Sequence, residues 1–381
     1  MQYRDLKVQY EKYKTEIDQA INQVITNTDF ISGTAVKVFE NRLAEYVGVK
    51  HCITCANGTD ALFLVLKAWN IGPGDAVFVP NFTFFATAEV VSQVGATPIF
   101  VDVDVDTFNM NVVHLEKMIR KTIGQGKLKI KAIIPVDLFG LLANYKEINR
   151  IAKVYNLRIL EDAAQGFGAE YNGQKACSYG EAATTSFFPA KPLGCYGDGG
   201  AIFTNDDQLA LLLRSLIVHG KGQDKYDNIR IGQNSRLDTL QAAILNVKLD
   251  ALIKHELDDV NQVYQWYNQE LSDVVKVPVI PAGNKSCFAQ YTIQLKNQDL
   301  RNGLKDYLHQ QGIPTMIYYA KTMHQQIAYH HLNVGDEEYP VSINLCNTVL
   351  SLPMHPYLTL EDVRSISSHI KTYISKKQGE L

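Results

Sequence analysis

The chain has no apolar run of the roughly 18 residues needed to cross a bilayer, so a membrane span is not expected. Its opening stretch, MQYRDLKVQYEKYKTEI, lacks the apolar core of a secretory signal. Positive charge is not in excess either. Thirty-seven Lys and Arg stand against 40 Asp and Glu, a formal net charge of −3, which leaves no field for gathering nucleic acid. A local pocket for a small phosphate stays compatible with that balance. Cysteine is sparse: Cys52, Cys55, Cys177, Cys195, Cys287 and Cys346 are too scattered for a disulfide framework, and a reducing cytoplasm is the expected compartment. Cys52 and Cys55 form a C-x-x-C, but no second pair stands at metal-ligand spacing, so packed thiols and no metal are expected. Internal repeats and low-complexity tracts are absent.

What is present is ordinary globular composition, 46% apolar and 20% charged, in 381 residues, enough for two domains. Apolar spacing predicts helices over 4–26 and 36–47. Strand-like and helical segments then alternate: HCITCA, GTDALFLVLKAW, DAVFVP, FFATAEVVSQVG, TPIFVDVD, KAIIPVDLF, KEINRIAKVY and LRILED. Near-continuous apolar strands between helices predict an α/β fold whose sheet is largely parallel and covered on both faces. A long helical stretch over 238–270 leads out of it. YTIQLK, a helix over 299–311, IPTMIYY and a helix near 360–376 predict a smaller α+β domain, with the division placed at 1–245 and 246–381. The basic stretch 119–131, IRKTIGQGKLKIK, is expected to be a solvated connection.

Ligands of open α/β sheets bind beyond the carboxyl ends of the strands. Four features stand at such ends or in glycine-rich turns. Lys191, in SFFPAKPLGCYGDGGAIFTND, lies between two prolines; a desolvated lysine there is a nucleophile or base, although a surface lysine is the ordinary alternative. Asp162 follows the run LRIL and can hold a protonated ring nitrogen or, equally, cap a following helix. NGTDAL offers free N–H groups and a hydroxyl at a helix start, suited to a phosphate or simply a capped turn. Phe84 can lie flat on an aromatic cofactor or pack in a core. YGDGGA does not have the dinucleotide fingerprint. Together the four supply what pyridoxal phosphate requires: an amine for the imine, a carboxylate for the pyridine nitrogen, a phosphate cradle and a ring to fix the plane.

NGTDAL, NFTFFATA, EDAAQGFGA, SFFPAKPLGCYGDGGAIFTND, HGKGQDKYDNIRIGQNSRLDTLQAAIL and SLPMHP, in this order, resemble the DegT-type sugar-nucleotide aminotransferases over essentially the whole chain. SFFPAKPLGCYGDGGA is most like the subgroup acting on UDP-2-acetamido-2-deoxy-3-oxo-glucuronate. The resemblance implies a fold-type I, aspartate-aminotransferase-like homodimer with pyridoxal 5'-phosphate. It implies Lys191 as the lysine bonded to the cofactor, Asp162 at the pyridine nitrogen, Gln165 at the phenolic oxygen and Phe84 on the ring. Gly58, Thr59 and Ser186 would bind the phosphate, and Asn234 would reach it from the neighbouring subunit. Arg236 would contact the sugar across that interface. L-glutamate would be the donor, and the product a 3-amino sugar for bacterial surface polysaccharide such as O-antigen.

One departure bears on substrate. The subgroup commonly has His-Tyr where this chain has Tyr318-Tyr319, in TMIYYAK. The lost cation raises the standing of a dTDP-3-oxo-6-deoxyhexose as the alternative substrate. Arg236 remains, and a tyrosine hydroxyl can donate to a carboxylate, so the uronate is kept. A sugar dehydratase on this fold would carry histidine at Lys191. A non-catalytic regulator would have lost one of Lys191, Asp162 and Asn234, and a plain nucleotide-binding module would need neither the lysine nor the aspartate.

Overall fold

The computed structural model describes residues 1–224 and 226–379. Its strands, numbered along the chain, are β1 (His51–Cys55), β2 (Asp75–Pro80), β3 (Thr97–Val101), β4 (Lys129–Ile133), β5 (Arg158–Asp162), the short β6 (Glu170–Tyr171) and β7 (Gln174–Lys175), β8 (Ala182–Ser186), β9 (Gly200–Thr204), β10 (Asn284–Lys285), β11 (Tyr291–Gln294) and β12 (Val349–Leu352). Seven of them form the central sheet in the order β1-β9-β8-β5-β4-β2-β3. Pairing is parallel from β8 through β5, β4 and β2 to β3; β9 runs against both its neighbours, β1 and β8.

The apolar strands have cores on both sides. In β2 the whole of DAVFVP is buried. Phe78 joins one cluster with Phe39, Leu43 and Ile119, while Val77 and Val79 join the opposite one with Leu62, Leu64 and Val90. Alternate residues of a strand face opposite ways, so a doubly covered strand is apolar throughout. Each such side chain removed from water contributes about 1.5–3 kcal/mol. Asparagine and aspartate start several helices: Asn57, Asn111, Asn144, Asp206 and Asn297 each accept a backbone N–H of the first turn.

A third cluster draws on the far half of the chain. Tyr267, Tyr291, Ile293, Leu304, Leu350, Val363 and Ile370 bury the antiparallel pair β11–β12 under the helices Leu257–Leu271, Gln298–Gln310 and Leu360–Gly379. The helix Thr239–Ala251 enters this region through a π-helical turn, Leu252–Glu256, and runs on without a break into Leu257–Leu271.

The alternation predicted from the sequence is present, with local corrections. The first helix is interrupted at Tyr13, which separates Leu6–Lys12 from Lys14–Asn27. The stretch 119–131 is largely solvated, as expected, with only Ile119 and Thr122 buried. It is not all connection: it comprises the end of the helix Val112–Gln125 and the start of β4. Lys121, on the exposed side of that helix, pairs with Glu338. KAIIPVDLF ends as a strand at Ile133; a tight turn follows at Leu138–Gly140, with Phe139 at φ 58°. IPTMIYY forms no strand beyond a single bridge from Met316 to Ser351. All six cysteines are buried and unpaired. Among the described residues no His, Cys, Asp and Glu group is arranged to hold a metal, and no helix is long and apolar enough to cross a membrane.

Candidate active site

The connection from β8 to β9 carries Lys191 and is wound tightly. The Lys191 N–H donates to the Phe188 carbonyl at 2.9 Å, and the Cys195 N–H donates to that of Phe187 at 2.8 Å. A Cβ at Gly194 would lie 2.3 Å from the Pro189 oxygen, so only glycine lets the loop close on itself. Gln241 Oε1 accepts the Tyr196 N–H at 2.8 Å and ties the far end to the helix Thr239–Ala251. The lysine therefore has a fixed base. Burial pushes its amine down from the ordinary lysine range, the Asp162 carboxylate opposes that, and the Arg4 guanidinium adds to it.

Asp162 ends β5 and is buried. Thr87 Oγ1 donates to its Oδ2 at 2.8 Å, and the Ala164 N–H donates to its Oδ1 at 3.2 Å. Burial raises this carboxyl, while Thr87, Ala164 and the charge of Lys191 hold it down. Lys191 and Asp162 thus stabilise each other's charged forms from two different strand ends. Residues after Asp162 form turns and no helix, which removes the helix-cap reading.

A second pair of carboxyls lies behind. Asp137 Oδ1 accepts from the Ala143 N–H at 3.0 Å and the Tyr145 hydroxyl at 2.9 Å, and its Oδ2 is buried with no donor. Glu161 accepts the N–H groups of Cys177 and Tyr179 at 2.6 and 2.8 Å. Burial raises Asp137 to about 7, and burial together with the charge of Asp137 raises Glu161. Both shifts favour the protonated forms of the two carboxyls.

The third component is the start of the helix Gly58–Ala68. Asn57 Oδ1 caps the Asp60 N–H at 2.7 Å, so the N–H groups of Gly58 and Thr59 have no helical partner. A Cβ on Gly58 would stand 2.8 Å from Cβ of Ser186, the last residue of β8, and one on Gly200 would stand 2.5 Å from the Asn57 backbone. Three chain segments meet here with no side chain between them, leaving N–H groups and a hydroxyl at a helix N-terminus, a cradle for an anion.

Phe84 lies past the end of β2 and is 55% exposed, whereas Phe82 is fully buried. Gln165 is buried; its Oε1 accepts the Phe139 N–H at 2.9 Å and its Nε2 donates to Tyr319 Oη at 3.0 Å. Tyr318 and Tyr319 stack at a tilt, 5.7 Å between centroids, and Tyr318 meets Tyr3 edge-on. Asn234 is exposed, and within the single chain its side chain is not joined to this group. Its neighbour Ser235 is buried and accepts the Ala56 N–H at 3.1 Å, which anchors that segment two residues from Gly58. Arg236 is half-buried, with Nε shut off from water and lacking a hydrogen-bond partner.

Two residues of this neighbourhood escape sequence reasoning. Thr87 lies inside NFTFFATA, but a threonine in an apolar helix gives no sign that it faces a carboxylate 75 residues away. Arg4 donates from Nη2 to the Lys191 carbonyl at 2.8 Å across 187 residues, and nothing in MQYRDLK signals it.

The family model for the DegT/DnrJ/EryC1/StrS aminotransferases matches residues 11–371. The chain is 44% identical over 369 residues to UDP-2-acetamido-2-deoxy-3-oxo-D-glucuronate aminotransferase of Pseudomonas aeruginosa, covering 96% of this chain and 98% of the relative. It is 40% identical over 368 residues to UDP-N-acetyl-3-dehydro-alpha-D-glucosamine 3-aminotransferase of Acidithiobacillus ferrooxidans, 96% of each. The crystal structure of a DegT DnrJ EryC1 StrS aminotransferase from Brucella abortus superposes with a TM-score of 0.95 at 52% identity, over 98% of this chain and 99% of that one. Aminotransferases of this family work with pyridoxal 5'-phosphate, and the residues present fit it: an amine beside a buried carboxylate, and a glycine cradle that a Cβ would fill. On its sequence, its fold and the chemistry of its strand ends, the chain belongs to the DegT/DnrJ/EryC1/StrS aminotransferase family.

Proposed function

We propose that this enzyme moves the amino group of L-glutamate to C3 of UDP-2-acetamido-2-deoxy-3-oxo-glucuronate, making a 3-amino sugar nucleotide for a bacterial surface polysaccharide such as O-antigen. The observation that carries the reading is the mutual charge stabilisation of Lys191 and Asp162 at adjoining strand ends. The P. aeruginosa relative supports the choice of sugar. Arg236 supplies a cation for the uronate carboxylate, and Tyr319 suits it too: its oxygen accepts from Gln165, which leaves its proton to donate.

When bound, pyridoxal phosphate supplies the aldehyde that takes up and passes on the amino group, and a ring that accepts the electrons left when the donor loses its α-proton. The chain supplies the rest. Lys191 would hold the cofactor, and its neutral amine would remove the proton from the glutamate α-carbon and, with the ketosugar, move protons in the reverse sense. Asp162 keeps a proton on the ring nitrogen, and Thr87 and Ala164 hold the carboxylate in place. Gly58, Thr59 and Ser186 would bind the phosphate, Phe84 would hold the ring, and Gln165 would serve the phenolic oxygen. Asn234, exposed in the single chain, reaches the phosphate of a second subunit, and Arg236 and the Tyr318–Tyr319 pair face the sugar. The enzyme is then a homodimer with shared sites, working in the cytoplasm, where six unpaired thiols are at home. We place the large domain at 1–245 and the small one at 246–381; the helix Thr239–Ala251 crosses that boundary with Leu245 and Leu249 still in the large core.

The test is the amino-loaded enzyme offered a panel of UDP- and dTDP-linked 3-keto and 4-keto sugars, followed by the return of the aldehyde-form absorbance. The 3-oxo-glucuronate is expected to react fastest, by about tenfold or more. Preference for a dTDP 6-deoxy sugar would overturn the uronate, and silence toward every ketosugar would overturn the aminotransferase reading.

A further inference from the structure

We propose that Arg4 is a positioning residue for Lys191: its guanidinium reaches across the fold to the carbonyls of Lys191 and Pro192 and fixes the loop from which the reacting amine extends. The hydrogen bonds run from Nη2, at 2.8 Å to Lys191 and 3.5 Å to Pro192. The proposal rests on Lys191 being the cofactor lysine.

The Lys191 N–H is used within the loop, on Phe188, while its carbonyl accepts from Arg4. A carbonyl bonded to a guanidinium is held by a charge-assisted bond, about twice as strong as a neutral one. A second cation bonds the same loop: Lys248 Nζ, buried in the helix Thr239–Ala251, donates to the Gly194 carbonyl. Two cations thus hold carbonyls of the loop, Arg4 at Lys191 and Pro192 and Lys248 at Gly194.

Arg4 itself is well anchored. The carbonyl of the preceding Tyr3 accepts the Met354 N–H at 3.2 Å, and Asp5 caps the helix Leu6–Lys12. The guanidinium is flanked by Glu256 of the π-helical turn, Tyr357, Tyr3 and Cys287, and Lys248 and His355 feel its charge in turn. The N-terminal segment therefore connects the smaller core, where Met354 packs, to the catalytic loop.

Two consequences reach the amine. A fixed loop holds Nζ near Asp162 without sampling other directions, which is orientation established before reaction. The like charge of Arg4 also favours the neutral amine, in the same direction as burial and against Asp162 and Cys287, the other ionisable groups facing Lys191.

The test separates this from general stability and from the function. The cofactor-free protein is labelled with acetic anhydride across pH 6–10, and the acetylation rate of Lys191 is read by mass spectrometry, with exposed Lys7 as the internal reference. In the wild type Lys191 is expected to acetylate with a midpoint below that of Lys7. In Arg4→Met the Lys191 rate at pH 7.5 should fall about fivefold and its midpoint should rise. In the holoenzyme kcat should fall about tenfold, with KM for the amino donor within about twofold. Arg4→Lys, which keeps the charge but not the fork, should recover the midpoint and only part of kcat. If Arg4→Met does not fold, Arg4→Gln, uncharged but able to donate, is read in the same way. A wild-type midpoint equal to that of Lys7 overturns the assignment of Lys191 itself. A depressed wild-type midpoint left unmoved in the variants, with kcat unchanged, overturns the role of Arg4 alone.

Discussion

Thr87 and Asp162 form a buried hydrogen bond of 2.8 Å between a hydroxyl and a carboxylate, each side chain less than 5% exposed. The threonine holds one oxygen and the Ala164 N–H the other, so the carboxylate has one orientation at the mouth of the strand. Thr87→Val keeps the shape and deletes the donor. Turnover should fall about tenfold, since a charge-assisted bond is worth roughly 1.5–3 kcal/mol. Because Thr87 lowers the Asp162 pKa, its loss should also move the acid limb of the kcat–pH profile to higher pH. A profile superimposable on the wild type would rule the role out.

Lys191→Ala should reduce turnover by about a thousandfold or more. Borohydride treatment of the wild-type holoenzyme should leave the reduced cofactor on the peptide containing Lys191, and the variant should carry none. Trapping on any other lysine would contradict the assignment.

Gly58→Ala places a methyl 2.8 Å from Cβ of Ser186. Overpacking of this kind costs about 1–3 kcal/mol, and here the methyl also enters the anion cradle. Cofactor affinity of the apo-protein, followed by fluorescence titration, should weaken about tenfold or more. Affinity within twofold of the wild type would place the phosphate elsewhere.

Asp137 contributes to stability with a definite pH sense. Its folded pKa is about 7, raised by burial above the unfolded carboxyl value. Its contribution is therefore complete below the unfolded pKa, near 4, and is lost as pH rises through about 7. Asp137→Asn keeps an acceptor for Ala143 and Tyr145 and aims a permanent donor at Glu161. Denaturant unfolding should show the variant more stable than the wild type at pH 8, by on the order of 2 kcal/mol, with the advantage gone by pH 5. An equal gap at both pH values would contradict the raised pKa of Asp137.

Asn234 gives a test of the shared site. Lys191→Ala and Asn234→Ala chains, each inactive alone, should regain about a quarter of wild-type activity when unfolded together and reassembled, because half the dimers are mixed and each mixed dimer has one intact site. No recovery would mean that Asn234 serves its own chain.

Much of this site was legible because it depends on short-range signals. The run LRIL before Asp162, the glycine opening NGTDAL and the prolines around Lys191 each encode a local geometry, and strand ends of a parallel sheet converge. Thr87, Arg4 and the Asp137–Glu161 pair were not legible, because each depends on a partner brought close only by the finished fold. The stretch 119–131 was legible as solvated but not as helix end and strand start. Its lysines are conspicuous, whereas only Ile119 and Thr122 mark the buried face that continues the helix from Leu115 and Met118. The break at Tyr13 had no warning either, since the apolar spacing continues through it.

The reversal of β9 decides where the chemistry can happen. Ser186 and Gly200 are register partners, so the chain leaves β8 and re-enters β9 at one and the same rim. The thirteen residues between them never travel to the opposite rim, as a crossover to a parallel neighbour would require. They fold over the edge where β5 delivers Asp162 and where the helix after β1 presents its first turn. A single antiparallel strand thus converts what would have been a passage through the molecule into a canopy above its working end.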